Sequence, residues 1–231
     1  MADAAGRIKW DATGERLYEL GVDHGVLYLQ KNDGSYDVGV AWNGLTGVTE
    51  SPDGAEPNDM YADNIKYASL RSAETFGFTI EAYQSPVEFD QCDGSAVAAQ
   101  GVFVGQQDRK HFGFVYRTKI GNDVSGQDKG YKLHIVYGAS ASPSEKSYET
   151  VNDSPEGITL SWECTTDPVT VSGFNHPVST IVINSLKADP TKLATLEDTL
   201  FGKDATVDPV AAATDPTLPD PATLLAIFTA T

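Results

Sequence analysis

Residues 131–137 read YKLHIVY, in which Tyr131, Leu133, Ile135 and Tyr137 alternate strictly with Lys132, His134 and one further residue. Extended backbone sends successive side chains to opposite faces, so the run predicts a strand with an apolar and a polar side. Two other stretches follow the same rule. Phe112, Phe114 and Tyr116 stand opposite Val115 and Arg117, and Ile158, Leu160, Trp162 and Cys164 stand opposite Ser161 and Glu163. One inward face and one wet face per strand is the antiparallel pattern. The chain is therefore expected to be mostly β, an antiparallel β-sandwich or barrel.

Working outward, Gly25–Gln30 reads as a buried strand, followed by the tight-turn sequence Asn32-Asp33-Gly34-Ser35. Next, Tyr36, Val38, Val40 and Trp42 alternate with Asp37, Gly39, Ala41 and Asn43, which completes a hairpin. Residues 44–60 change character, with two Pro, three Gly and the acids Glu50, Asp53, Glu56 and Asp59. They read as a long acidic loop, and loops of that length usually serve a function or are disordered. Strands resume at Met60–Leu70, at Phe76–Tyr83 and at Thr180–Asn184, and Ser85-Pro86-Val87-Glu88 predicts a short helix. A second helix is expected over about 190–201. Asp189 caps it, Pro190 opens it, Leu193, Leu196 and Leu200 form its apolar stripe, and Gly202 stops it. These elements make a β-domain over 1–203 with a flanking helix. Residues 204–231 are an extension rich in Ala, Thr, Pro and Asp, of which Ala222–Phe228 is apolar enough to dock as a strand.

Composition excludes several functions. The formal net charge is −17, with 33 acids against 16 bases, the opposite of what a nucleic-acid grip requires. No stretch approaches the roughly 18 apolar residues of a membrane helix, and Met1–Trp10 lacks the apolar centre of a signal peptide. A protein folded in a cytoplasm, with no membrane partner, is expected. Cys92 and Cys164 are too few for a disulfide framework or a zinc site and read as small buried hydrophobes. His24, His111, His134 and His176 are scattered, with no metal-ligand spacing. No nucleophile elbow, phosphate loop or dinucleotide fingerprint is present. The acidic loop lacks the ligand pattern of a calcium-binding EF-hand. The expectation is a non-enzyme without cofactor, metal site or catalytic residue.

Three ordered blocks carry a resemblance. GVAWNGLTGVTESPDGAEPNDMYADNIKY (Gly39–Tyr67), SAETFGFTIEAYQSPVEFDQCDG (Ser72–Gly94) and GYKLHIVYGASASPSEKSYETVNDSPEGITLSWE (Gly130–Glu163) resemble the major tail tube proteins of long-tailed, non-contractile phages. The resemblance spans roughly residues 8–203. It implies a virion protein that assembles in the host cytoplasm. Hexameric rings of it would stack into a hollow tail tube for genome ejection. Its partners would be further copies, the tail terminator and tail-tip proteins, and, transiently in the lumen, the tape measure protein and DNA. The long loop would reach the adjacent ring, which makes Glu50, Asp53, Glu56 and Asp59 candidate ring-stacking residues. Asp37, Glu81 and Asp63 are candidates for an acidic lumen wall that repels DNA. Two alternatives are the inner tube of a contractile tail or tailocin, and a glycan-binding adhesive sandwich using Tyr61, Tyr67 and Trp42 as a stacking platform.

Overall fold

The computed structural model describes residues 8–148, 150–151, 153, 157–207 and 210–229. Its strands are β1 (Leu17–Leu29), β2 (Val40–Trp42), β3 (Leu45–Glu50), β4 (Asp53–Gly54), β5 (Pro57–Ala62), β6 (Ile65–Arg71), β7 (Glu74–Thr75), β8 (Gly77–Ala82), β9 (Ala96–Ala99), β10 (Val102–Val104), β11 (Phe112–Asn122), β12 (Gly126–Ala141), β13 (Leu160–Thr166), β14 (Thr180–Asn184), β15 (Thr206–Val207) and β16 (Val210–Ala211). Two helices, α1 (Pro190–Phe201) and α2 (Pro221–Thr229), and a 3-10 turn over Val87–Gln91 complete the set. The protein is thus mostly β, antiparallel, with a flanking helix.

The main sheet runs β2–β1–β11–β12–β13–β8–β3, with β14 also on β12. Strand β12 carries two neighbours along one edge: Lys132–Val136 pair with β14, and Ala139–Ala141 pair with β13. Gly138 lies between these pairings at φ +60°, where a Cβ would come within 2.4 Å of the Asp167 carbonyl oxygen. A kink at that residue turns the β13–β8–β3 part of the sheet over the β1–β11–β12 part. Between the two halves lies an aromatic core of Trp42, Phe78, Phe89, Phe112, Phe114 and Trp162. Trp42 is packed edge-on against Trp162 and Phe114, each at 5.5 Å between centroids.

The opposite face of β1–β11–β12 is buried as well. Val26, Tyr28, Val115, Leu133, Ile135 and Tyr137 face Leu193, Leu196 and Leu200 of α1. The expectation of one wet face per strand therefore fails for the central strands: α1 and the C-terminal residues cover the Val115 side of β11, and the aromatic-core side, with Tyr116, takes the His134 and Val136 side of β12. His134, expected on a polar face, is only 9% exposed. Helix α1 forms because Asp189 Oδ1 accepts from Thr191 N (2.9 Å) and Lys192 N (3.0 Å), behind a proline at the first position.

Several local expectations change. Tyr36 and Trp42 do not share a face: Trp42 lies in the aromatic core and Tyr36 packs on the helix side. The ladder breaks between them, where Gly39 N donates to Pro216 O instead (2.9 Å). Burial of Trp42 also removes it from any exposed stacking platform. The helix expected from Ser85 is a 3-10 turn whose cap position is Pro86, without a side-chain cap. Residues 44–60 are not an irregular loop; they hold β3, β4 and most of β5. Met60–Leu70 is not one strand, since Asp63 and Asn64, at φ +51° and +63°, turn the chain between β5 and β6.

The C-terminal residues are integral to the structure. Ala222–Phe228 is helical in α2, not a strand, because Asp220 Oδ1 caps the nitrogens of Ala222 and Thr223 (both 3.0 Å). Leu218 and Leu224 are buried in the helix-side core, and Lys192 Nζ donates to the Phe228 carbonyl (3.1 Å). Tyr137 Oη donates to Pro219 O (3.2 Å), tying this segment to β12. Cys92 and Cys164 are buried free thiols, and burial pushes Cys92 up to about 12.

Leu196→Ala, which empties a fully buried position between α1 and the sheet, is expected to cost about 2–5 kcal/mol in denaturant unfolding. The half-exposed Leu186→Ala control is expected to stay within about 0.5 kcal/mol.

Candidate assembly surface

Strand β3 ends at Glu50, and the chain leaves the sandwich there. Glu50 Oε1 accepts from Tyr116 Oη (2.5 Å) and lies 3.1 Å from His134 Nδ1, while His134 Nε2 is 3.0 Å from Thr118 Oγ1. One neutral tautomer satisfies both contacts, with Nδ1–H donating to the carboxylate and Nε2 accepting from the hydroxyl. Burial lowers the His134 pKa and outweighs the raising effect of Glu50. Tyr116, stacked on the imidazole at 4.6 Å, is pushed above its ordinary value by burial and then by the Glu50 charge. The last residue of β3 is thus fastened to β11 and β12.

Beyond this anchor the chain forms an arm. Ser51 N bonds Gly77 O (2.8 Å), and β4 pairs with β7. Gly54 has φ +90°, and a Cβ there would lie 2.5 Å from the Ala73 carbonyl oxygen, so the close approach of the arm's two legs requires glycine. Strands β5 and β6 then form a hairpin closed by Asp63-Asn64, two left-handed residues as a type I′ turn demands.

Register gives the hairpin two unlike faces, because directly opposed residues share a face. Asn58 opposes Leu70, Met60 opposes Ala68, and Ala62 opposes Ile65, which makes one side almost wholly apolar. Asp59 opposes Ser69, and Tyr61 opposes Lys66, on the other. Here Asp59 is bonded to Ser69 Oγ (2.7 Å) and paired with Lys66 Nζ (2.8 Å), contacts that hold its carboxyl below the usual carboxylate range. The apolar side is uncovered: Met60, Ile65 and Leu70 are 48%, 64% and 58% exposed.

Among the described residues, one sheet face of the sandwich also has no covering layer. Outward from β3, β8 and β13 point Gly47, Thr49, Thr79, Glu81, Ser161 and Glu163, with Glu81 opposite Ser161 and Glu163 opposite Thr79. These residues are small or acidic and include no base.

Of the acids expected at the ring contact, Glu50 is bound inside the chain, Asp53 starts the arm, Glu56 is exposed, and Asp59 is ion-paired on the hairpin's polar side. The three expected lumen acids are not brought together. Glu81 stands on the uncovered sheet face; Asp37 is in the connection to β2, with Lys31 at 3.8 Å; Asp63 is at the hairpin tip. Sequence reasoning missed the apolar side of the arm and Glu163. Reading Asp63-Asn64 as a turn would have exposed the pairing of Met60, Ala62, Ile65 and Leu70.

Among the described residues no group of three or more His, Cys, Asp or Glu could hold a metal ion, and no helix is long and apolar enough to cross a membrane.

No family model and no curated protein matches the chain. A chain in the cryo-EM structure titled anti-feeding prophage (AFP) baseplate, 6-fold symmetrised, is similar to it. Identity is 10%, coverage is 76% of this chain and 97% of that chain, and the TM-score is 0.35. At that score the function has to be read from the protein's own surfaces.

His134 gives a pH signature. Its folded pKa lies below the unfolded value of about 6.5, so the unfolded state takes up the proton first as pH falls. The contribution is complete above pH ~6.5 and is lost on acidification. Melting curves are expected to show a fall in Tm between about pH 7 and pH 5 that His134→Gln reduces.

Proposed function

We propose that this protein is a structural subunit of a phage tail whose hexameric rings stack into the tail tube. The apolar side of the β5–β6 arm carries the reading, since an amphipathic hairpin outside its own core is an element waiting for a partner. Resemblance of the blocks Gly39–Tyr67, Ser72–Gly94 and Gly130–Glu163 to tail tube proteins supplies the kind of assembly. The role of Glu50, Asp53, Glu56 and Asp59 in ring stacking becomes one of shaping the arm, and Met60, Ile65 and Leu70 make the contact.

Energetics favour many arms acting together. Burying one fully exposed aliphatic side chain yields about 1.5–3 kcal/mol, so three that are already near half-covered yield roughly 3–5 kcal/mol per arm. Association costs an estimated 4–15 kcal/mol or more. A single arm therefore barely holds two subunits, whereas six arms on one ring act after a single association cost. In this reading the sheet face carrying Glu81 and Glu163 lines the lumen. Its carboxylates repel phosphates and offer DNA no cationic hold, so the genome slides. Tail terminator, tail-tip and tape measure proteins would be the other partners.

Negative-stain microscopy of the purified protein tests the reading: tubes or six-fold rings are expected, and dispersed monomers under all assembly conditions would defeat it. Gly54 and Glu74 are direct partners in β4–β7, so replacing Ala55–Ala73 by Asn-Gly closes the arm at its base. That variant is expected to lose only the arm's share of the β signal, to melt cooperatively near the wild-type Tm, and to form no tubes. Glu81→Lys with Glu163→Lys is expected to slow genome ejection at low salt, with the effect fading at high salt.

A further inference from the structure

A groove lies beside the edge strand β2, on the helix side of the sheet. Val26, Gly39 and Ala41 form its floor, and Leu200, Phe201 and Pro216 form its wall around a volume of about 460 Å³. Gly39 keeps the floor low, because a Cβ there would come 2.6 Å from the Tyr28 ring and 2.9 Å from Val26. His24 and Asn43 bring polar side chains to it, and among the described residues no Asp, Glu, Lys or Arg lines it.

We propose that this groove receives the apolar side of the arm of another copy of the chain. The inference rests on the tail reading and assigns the acceptor within it. Charge points to a second copy: chains of net charge −17 repel one another wherever their acids meet. The groove and the Met60–Ile65–Leu70 side are two apolar surfaces free of acids. Position points the same way. Strand β3 starts beside the groove, where a Cβ on Gly25 would strike Leu45, and the arm leaves from its other end after Glu50. Donor and acceptor thus sit at opposite ends of a strand of six residues, about 20 Å long. A surface at one end that fits a different surface at the other joins copies head to tail, the kind of contact that builds an open stack where the rotation between copies does not close a ring.

The test uses the full chain with one half of the contact spoiled at a time. Ile65→Asp spoils the arm and leaves the groove; Ala41→Arg fills the groove and leaves the arm. Both positions are solvent-exposed, and wild-type circular dichroism checks folding. Each variant alone is expected to stop at the unit that precedes stacking, and an equimolar mixture is expected to form a species of twice that mass by light scattering. In a second measurement, Ile65→Cys with Ala41→Cys is treated with a short bismaleimide. The native Cys92 and Cys164 are buried, so a covalent ladder that neither single variant gives supports the contact. Tubes that assemble without a ladder, or a mixture without the doubled species, overturn it while the tail reading stands. Failure of the wild type to assemble at all overturns both.

Discussion

Burial of the β11–β12 pair on both faces is the constraint on which the rest of the structure depends. Phe114 and Tyr116 point into the aromatic core while Val115 points to the helix, and on β12 Val136 and Ile135 divide in the same way. A strand with two apolar faces needs two covering layers. The first is the sheet's own continuation, turned over at Gly138; the second is α1 with the C-terminal segment. Polar ties then fix the helix layer on the sheet and the sheet's own strands in register. Tyr131 Oη donates to Glu197 (2.6 Å), Tyr28 Oη donates to the Leu200 carbonyl, and Arg117 grips Asp23 at 2.7 and 3.0 Å while lying over the Tyr131 ring.

The surfaces left over follow from that arrangement. Once the two halves of the sheet and the helix layer are satisfied, β3, β8 and β13 have an outer face, and the arm an apolar side, that no element among the described residues covers. A second hairpin, β9–β10, likewise leaves Val97, Val102, Phe103 and Val104 exposed. In a chain this acidic, hairpins that carry several exposed apolar side chains side by side separate attachment from repulsion. The acids keep subunits apart in solution, and the hairpins set where they meet.

Much of this fold was legible in the sequence, for identifiable reasons. Period-two runs such as Tyr131–Tyr137 mark strands whatever their surroundings, and the Asp189-Pro190 start with its Gly202 stop marks α1 by local capping chemistry alone. The same chemistry was present at Asp220-Pro221, but the apolar run that follows, without a polar face, read equally well as a strand. What a strand's second face meets is not a local property. Lys132 and His134 look like a wet face until Tyr116, Glu50 and Glu19 are placed in space. The arm was partly hidden for the opposite reason: its acids dominate the composition of 44–60, while the feature that matters is a pairing across Asp63-Asn64. Of the candidate acids, only Glu81 occupies the sheet face that its alternation with Ile80 and Ala82 implied.

The arm and the sandwich differ in how far apart along the chain their partners lie. Hairpin β5–β6 closes over two residues, an event of about 1–10 μs. The Asp23–Arg117 pair that locks β1 to β11 joins residues 94 positions apart. At roughly 5–20 residues per second of synthesis, β1 waits several seconds for its neighbour to exist. For the later part of that interval, once Arg71 has been made, the nascent chain exposes the apolar side of a hairpin that pairs only marginally alone and has no sandwich behind it. The order of events on the ribosome therefore puts the adhesive element before the acidic shell that disperses finished subunits, so the hazard of premature association is greatest while the chain is still being made.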